Sequence, residues 1–294
     1  MKRKLLFLMT MILPFMAMAQ GVITLPGNSP EKASSKGKRN SSKKQKTSAQ
    51  PAQDTKTGKS SRGNSISIIA NGITFHMVKV TGGTFTMGAT PEQEEPSSDE
   101  KPAHQVKLSS YYIGETEVTQ ALWKAVMGDN PSAFMGDDLP VEKVSWKDCH
   151  TFIGKLSRLT KRRFRLPTEA EWEFAARGGN KSSHTQYSGS SNIDRVAWFE
   201  SNSGRQTHPV KSKKANELGI YDMSGNVSEW CEDWKGGYNS ESQNNPAGLS
   251  NGIRRVCRGG SWDVNASNCR VSARNCRMPI RSFNYTGLRL VLSE

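Results

Sequence analysis

The chain has 294 residues, 34% of them hydrophobic, and a formal net charge of +14. This length predicts one large domain or two small ones. Thirteen Lys or Arg lie in the first 65 residues against only Glu31 and Asp54, so the excess positive charge is in a tail, and we do not expect a nucleic-acid-binding face.

The first nineteen residues have the three-part order of a secretory signal peptide. Basic residues at 2–4 precede an apolar run over 5–16 and the sequence Ala-Met-Ala at 17–19. The run is shorter than the roughly 20 residues that span a bilayer. We therefore predict an exported protein, periplasmic or extracellular, without a transmembrane segment. No Cys follows the cleavage site, so a lipid anchor there is not expected.

A basic linker is predicted at residues 20–65, where Lys, Ser, Gln, Thr, Gly and Pro dominate. A segment with so little to bury does not offset its ordering entropy, so we predict that it is disordered and acts as a tether. Residues 66–294 are then one domain, long enough for one sizeable core.

The regular elements of this domain are predicted mainly in its first half. Alternating and β-branched segments predict strands at 73–80, at 85–87 and, as one or two strands, within 106–118. Apolar residues at helical spacing predict helices at 119–127, 145–159 and 168–177. Ser145 is a suitable N-cap, Thr168 and Glu171 form a capping box, and Gly178 ends the third helix. The acidic residues Glu169, Glu171 and Glu173 are interpreted as structural.

Residues after 179 are rich in Gly, Asn, Ser and Asp, with isolated aromatic residues between them. Such a region requires aromatic anchors, ions or disulfides to hold its shape, and long ordered loops are often functional. The tryptophans are interpreted as core anchors: Trp123, Trp146, Trp172, Trp230 and Trp234. The five cysteines are Cys149, Cys231, Cys257, Cys269 and Cys276. Their odd number leaves at least one free thiol or one intermolecular bond; a Cys231–Cys257 bridge, or one involving Cys269, is plausible, but the pairing stays open.

Seven segments in order resemble the formylglycine-generating-enzyme (sulfatase-modifying factor) family, over residues 72–294. The segments are 82–88 (GGTFTMG), 117–120 (EVTQ), 140–146 (PVEKVSW), 165–179 (RLPTEAEWEFAARGG), 219–230 (GIYDMSGNVSEW), 258–262 (RGGSW) and 287–290 (GLRL). The resemblance implies an α+β fold of the formylglycine-generating-enzyme type, C-type-lectin-like, with low regular secondary-structure content.

The active members of this family oxidise a sulfatase cysteine to formylglycine with O2 and copper(I), a soft ion that favours thiolates. Their pattern G-G-S-Y-x-C-x4-C places Val264 at the first copper cysteine, and valine has no ligand atom. The second cysteine falls on Cys269, and the active-site serine on Ser261. The loop is three residues shorter than the active pattern, and Ser228 replaces a Trp. We expect no copper, and we favour the alternative that Cys269 is a buried or disulfide-bonded structural cysteine.

The same resemblance implies a calcium loop. Its ligands correspond to the side chains of Asp222 and Glu229 and the backbone carbonyls of Gly225 and Val227. Two carboxylates with carbonyl oxygens suit a hard cation such as Ca²⁺. The alternative is a plain turn with Glu229 in an ion pair.

Three functions remain open from the sequence. The first is the family's oxidase. The second is a module that binds a protein or glycan, since the segment from Trp262 to Tyr285 also looks like the variable ligand-binding end of retroelement-diversified proteins. That surface would contain Asn265, Ser267, Asn268, Asn275, Arg277, Arg281, Phe283, Asn284 and Tyr285. The third is a component of an envelope or secretion assembly, as in gliding-motility relatives. We favour binding or scaffolding work without copper oxidation.

Overall fold

The computed structural model describes residues 64–293. The predicted signal peptide at 1–19 and residues 20–63 of the predicted linker lie outside these described residues. Within 64–293, no helix is long and apolar enough to cross a membrane.

Three α-helices form where the sequence predicts them: α1 at Gln120–Met127, α2 at Trp146–Thr160 and α3 at Glu169–Ala176. The side chains of the residues before them, Thr119, Ser145 and Thr168, cap their first turns. Both members of the predicted Thr168–Glu171 capping box are present, which satisfies backbone N–H groups that a helix start leaves without partners.

Between residues 64 and 293 twelve strands accompany these helices, and seven of them are four residues long or shorter. The strands are β1 Ser65–Ala70, β2 Ile73–Val80, β3 Gly83–Met87, β4 His104–Leu108, β5 Tyr111–Gly114, β6 Phe164–Arg165, β7 Ser228–Trp234, β8 Gln243–Asn244, β9 Arg255–Arg258, β10 Arg274–Arg277, β11 Thr286–Gly287 and β12 Val291–Ser293. Four short 3-10 turns complete the regular structure of the described residues. The predicted strands at 73–80 and 85–87 are present, and the segment 106–118 contains the end of β4 and all of β5.

The strands form three sheets. The five-stranded sheet has the order β1-β2-β5-β12-β6, the four-stranded sheet β10-β9-β7-β11, and the three-stranded sheet β3-β4-β8. Helices α1 and α2 contact each other and pack on strands of the first sheet, whereas α3 contacts β3, β7 and β9 of the other two. The α+β fold with little regular structure is therefore as the sequence predicts.

The cysteines differ from one expectation. All five are free thiols. Across the β7–β9 pair, Cys257 lies opposite Trp230 and not opposite Cys231. Neighbouring side chains of a strand point to opposite faces, so Cys231 and Cys257 pack in two different core clusters. The plausible Cys231–Cys257 bridge is therefore wrong for this structure, as is a bridge involving Cys269, and apolar packing replaces them.

The tryptophans also divide into two groups. Trp123, Trp172 and Trp230 are fully buried, as expected for core anchors. Trp146 and Trp234 are only half-buried and enclose the guanidinium of Arg255, whose carbon lies 4.0 and 3.5 Å from their ring centroids. Their interpretation as core anchors is incomplete, because a cation–π sandwich accounts for their place in the fold.

Candidate functional site

The thiol of Cys269 lies in a small apolar cluster below the turn that contains Gly260. The cluster around Cys269 is formed by Tyr187, Val196, Ala197, Phe199 and partly by Ile193, Val264 and Ala266. Val264 and Cys269, the two positions of the expected metal pair, therefore lie in the same cluster. Gly260 permits the close packing, because a Cβ there would lie 2.6 Å from the Cys269 sulfur.

The Cys269 thiol is not in its reactive thiolate form. Burial raises its pKa to about 12, so it is protonated at neutral pH, whereas nucleophilic attack and metal binding require the thiolate. Its sulfur lies 3.8 Å from the carbonyl oxygen of Asn265, and the backbone N–H groups of Ser261 and Gly225 also approach it and partly oppose the rise in pKa.

The hydroxyl of Ser261 is also engaged within the protein. Ser261 is 1% exposed, and its Oγ donates a hydrogen bond of 2.6 Å to Oδ1 of Asp263. This contact holds the turn before Val264 and supports a structural role for the serine.

A second group of candidate site residues lies on the loop that leads into β7. Asp222 and Glu229, the two predicted carboxylate ligands, are 4% and 0% exposed. Asp222 has a φ of 57° and Gly225 a φ of 79°. A Cβ on Gly225 would lie 2.9 Å from the carbonyl carbon of Trp198 and closer still to its oxygen, so only glycine fits this turn.

A third buried carboxylate, that of Glu117, completes this group. Glu117 is 1% exposed and accepts hydrogen bonds from Nδ2 of Asn226 at 2.8 Å and from the backbone N–H of Val227 at 3.1 Å. These two hydrogen bonds therefore tie Asn226 and Val227, in the middle of the loop, to a residue that lies far from the loop in sequence. We call Glu117, Asp222 and Glu229 the carboxylate cluster.

Arg289 is the one cation that the described structure pairs directly with the carboxylate cluster. Its Nη2 lies 2.6 Å from Oε1 of Glu229, and it also donates to the backbone oxygens of Gly114 and Tyr221, each at 2.9 Å. Glu229 accepts a further hydrogen bond of 2.7 Å from Nε1 of Trp172. The ion pair that the sequence left as an alternative for Glu229 is present.

The carboxylate cluster contains more negative charge than Arg289 neutralises. Burial, together with the charges of Asp222 and Glu229, raises the pKa of Glu117 well above its usual range. Burial likewise raises the pKa of Asp222 to about 6, although Lys211 donates its backbone N–H to this carboxylate. The site thus favours a proton or an additional cation.

Comparison with known proteins gives the family. The profile of the family described as "Sulfatase-modifying factor enzyme 1-like domain" matches residues 70–294. The chain belongs to this family.

Two relatives illustrate the range of the sulfatase-modifying-factor family. The protein named chaperone protein LppX, from Paenibacillus barcinonensis, is 36% identical over 246 residues, which cover 67% of this chain and 81% of the relative. The formylglycine-generating enzyme of Thermomonospora curvata is 30% identical, with 72% of this chain and 92% of the relative covered.

Solved structures of similar shape confirm the fold. Treponema denticola variable protein 1 matches with a TM-score of 0.72 and 33% identity, over 78% of this chain and 99% of that chain. PvdO from Pseudomonas aeruginosa matches with a TM-score of 0.65 and 26% identity, over 74% of this chain and 94% of that chain.

The residues at the family's copper position do not fit copper(I). Copper(I) binding would require thiolates at both positions 264 and 269. Val264 has no donor atom, and the Cys269 thiol is protonated in an apolar cluster. A soft metal ion there would have one weak ligand.

The loop at 222–229 offers only part of a site for a hard cation, because both carboxylate oxygens of Glu229 already accept hydrogen bonds from Arg289 and Trp172. The excess negative charge of the carboxylate cluster and the glycine turn at Gly225 both suit Ca²⁺. Among residues 64–293, no three His, Cys, Asp or Glu side chains converge as a metal site, so backbone oxygens are needed as well. No loop hydrogen bond within the described residues ends on the carbonyl oxygen of Gly225 or Val227, which leaves both available.

The predicted binding surface is built on packed aromatic residues. The rings of Phe283 and Tyr285 stack with centroids 5.1 Å apart, and the Arg277 guanidinium carbon lies 5.1 and 4.8 Å from them. Beside them Met278 and Ile280 are 45% and 62% exposed. Asn265, Ser267 and Asn268 instead bond to one another in a tight turn.

The sequence prediction of the site missed Glu117 and Arg289. Both lie in segments that carry the family resemblance, 117–120 and 287–290, but no role was assigned to them. The signal for Arg289 is its position in an otherwise apolar C-terminal segment, since a buried Arg requires a carboxylate partner. Glu117 has no comparable signal, because it precedes an ordinary helix start.

Proposed function

We propose that this family member is an exported binding or scaffolding domain for a protein or glycan, without copper oxidase activity. The observation that carries the proposal is the apolar cluster in which Val264 and Cys269 lie together. The resemblance implies that oxidation of a substrate cysteine in this family depends on a copper ion held by two cysteines, and this chain has Val264 in place of one of them.

The relatives allow both functions. The name of the Paenibacillus barcinonensis relative, a chaperone, and that of the Treponema denticola structure, a variable protein, support a binding role. The similarity to the Thermomonospora curvata formylglycine-generating enzyme supports the alternative, an oxidase that converts a sulfatase cysteine to formylglycine.

Copper binding distinguishes these two functions. We expect purified wild-type protein not to compete with a bathocuproine-type chelator for Cu(I), and not to oxidise a Cys-x-Pro-x-Arg peptide. Because Val264 and Cys269 share one cluster, Val264→Cys should add the second thiol and create measurable Cu(I) binding. Cys269→Ser is the matched control. Stoichiometric Cu(I) binding by the wild type that Cys269→Ser abolishes, with formylglycine formed in the peptide, would contradict the proposal.

The binding surface proposed for the ligand is the aromatic group of Phe283 and Tyr285 with Arg277, Arg281 and their exposed apolar neighbours. Aromatic and Arg side chains are the usual anchors of interfaces. Screening protein and glycan arrays with the wild type and an Arg277→Gln/Arg281→Gln variant tests it. A genuine ligand loses its signal on the variant, and a signal that is equal on both excludes this surface.

We also propose that the loop at 222–229 binds Ca²⁺ through the carboxylates of Asp222 and Glu229 and the carbonyls of Gly225 and Val227. The bound ion would neutralise the carboxylate cluster and fix the loop. At a hundredfold excess over Kd, such binding raises the melting temperature by about 5–10 °C.

Melting of chelator-treated protein with and without added CaCl2 measures this shift. Asp222→Asn should abolish the shift while the fold is retained, because Asn tolerates a positive φ and relieves the charge excess. Asp129→Asn, at an exposed position, is the control that should keep it. Equal melting temperatures of wild-type protein with and without calcium would exclude the site.

The export proposal rests on residues 1–19. N-terminal sequencing of the protein recovered from outside the cytoplasm should begin at Gln20. Recovery of the intact N-terminus in the cytoplasm would contradict it.

A further inference from the structure

A cavity of about 510 Å³ lies beneath the loop that leaves β7 and returns at Leu249. An isolated bridge between Trp234 and Leu249 joins the two ends of this loop, as in an Ω-loop. The floor of the cavity is formed by the start of α3 and by the end of β3 with the start of β4. Its volume is within the range of about 300–1,000 Å³ that is usual for small-molecule sites.

Two rigidly placed polar groups in the cavity wall keep unused hydrogen-bonding capacity. Oδ2 of Asp233 accepts the backbone N–H of Glu169 at 2.9 Å, and no hydrogen bond to its Oδ1 is found in the described part of the chain. Nδ1 of His104 lies 3.2 Å from the carbonyl oxygen of Pro102. A carbonyl only accepts, so Nδ1 donates in this contact, and no hydrogen bond to Nε2 is found among residues 64–293.

The loop is closed tightly over Asp233. A Cβ on Gly248 would lie 2.8 Å from Oδ1 of Asp233, and Gly248 has a φ of 73°. Glycine therefore allows the backbone to approach the carboxyl group. The amide side chains of Asn239, Gln243 and Asn244 line the cavity as well and supply further donors and acceptors.

The remaining charges in the wall neutralise each other. Arg274 is paired with both oxygens of Glu169 at 2.6 Å and donates to the carbonyl oxygens of Asp99 and Gly236. Asp233 is 5% exposed, and burial with the charge of Glu169 raises its pKa to about 7. The wall thus has many hydrogen-bonding groups but no free cation for an anionic ligand.

We propose that the cavity beneath the 235–248 loop binds an uncharged, hydroxyl-rich ligand of monosaccharide size. Hydroxyl groups both donate and accept, which matches a wall of carboxyl, imidazole and amide groups. The inference is independent of the aromatic surface at 277–285 and of the calcium loop, neither of which contributes to this wall.

The test uses the full mature chain and saturation-transfer NMR with D-glucose, D-galactose, D-mannose and N-acetyl-D-glucosamine. We expect at least one of these sugars to bind the wild type. Gln243→Ala and His104→Phe should each lower the affinity for that sugar about tenfold or more, because each variant loses one hydrogen bond to the ligand. Phe preserves a ring in the position that packs against Tyr238.

Gln105→Ala is the matched control, because Gln105 follows His104 on β4 but lines a different depression of the surface. It should leave the affinity unchanged, and the melting temperatures of all variants verify folding. Absence of binding by all four sugars, equal affinity in Gln243→Ala and wild type, or preferential binding of ethanolammonium or inorganic phosphate each overturns the proposal.

Discussion

Replacing Arg289 with Met should remove about 3–5 kcal/mol of the free energy of unfolding, because breaking a buried ion pair leaves uncompensated charge in the interior. Arg289 is 0% exposed and is the cation that holds Glu229. Met preserves most of its length but none of its hydrogen bonds. Against the 5–15 kcal/mol that is typical of a domain, the loss is visible in urea denaturation of chelator-treated protein.

The matched controls for Arg289→Met separate charge from packing. Arg165→Met breaks another bidentate pair, that with Glu171, but this Arg side chain is 34% exposed, so solvent screening makes the loss smaller. The double variant Arg289→Met/Glu229→Gln removes both partners and should recover part of the stability. A loss below about 1 kcal/mol, the scale of a surface pair, would show that Arg289 does not neutralise the carboxylate cluster.

The second large effect is expected at Gly225. Gly225→Ala combines a left-handed backbone with a Cβ that would overlap the carbonyl group of Trp198. The backbone term alone costs about 1–2 kcal/mol, and forcing the two backbones apart adds about 1–3 kcal/mol. Because the loop would shift, the calcium response should be lost as well.

Gly219 provides an unusually close control for this prediction. Its φ of 82° nearly equals the 79° of Gly225, but a Cβ there meets nothing within 4 Å. Gly219→Ala should therefore lose only the free energy of unfolding that a left-handed backbone costs a residue with a Cβ. Equal losses of stability in the two variants, measured by urea denaturation, would mean that the contact with Trp198 contributes nothing.

Local sequence signals predict the helices well. The caps Thr119, Ser145 and Thr168 and the terminating Gly178 act within one turn of the chain, so their effect is visible without tertiary structure. The sequence predicts none of the strands β1 and β6–β12. Those of two to four residues contain no periodicity and exist only through their partners, whereas β1 and β7 are longer and were missed.

The candidate site could likewise be predicted only where its residues are close together in the sequence. The loop residues Asp222 and Glu229 are near in sequence and were found through the family resemblance. The contacts of Arg289 with Glu229 and Gly114 join residues 60 and 175 positions apart, and no spacing in the sequence indicates them. The acidic residues of α3 all pair with arginines. Glu171 pairs with the nearby Arg165, whereas Glu169 pairs with Arg274, 105 positions away.

Strand β12, only three residues long, lies between β5 and β6 inside the five-stranded sheet. The residues of β5 and β6 that pair with β12 lie about 125 to 180 positions earlier in the chain. The two parts of this sheet are therefore joined only when β12 has paired on both sides. Closing so large a loop is entropically slow, so the pairing of β12 should be among the last steps by which this sheet acquires its native structure.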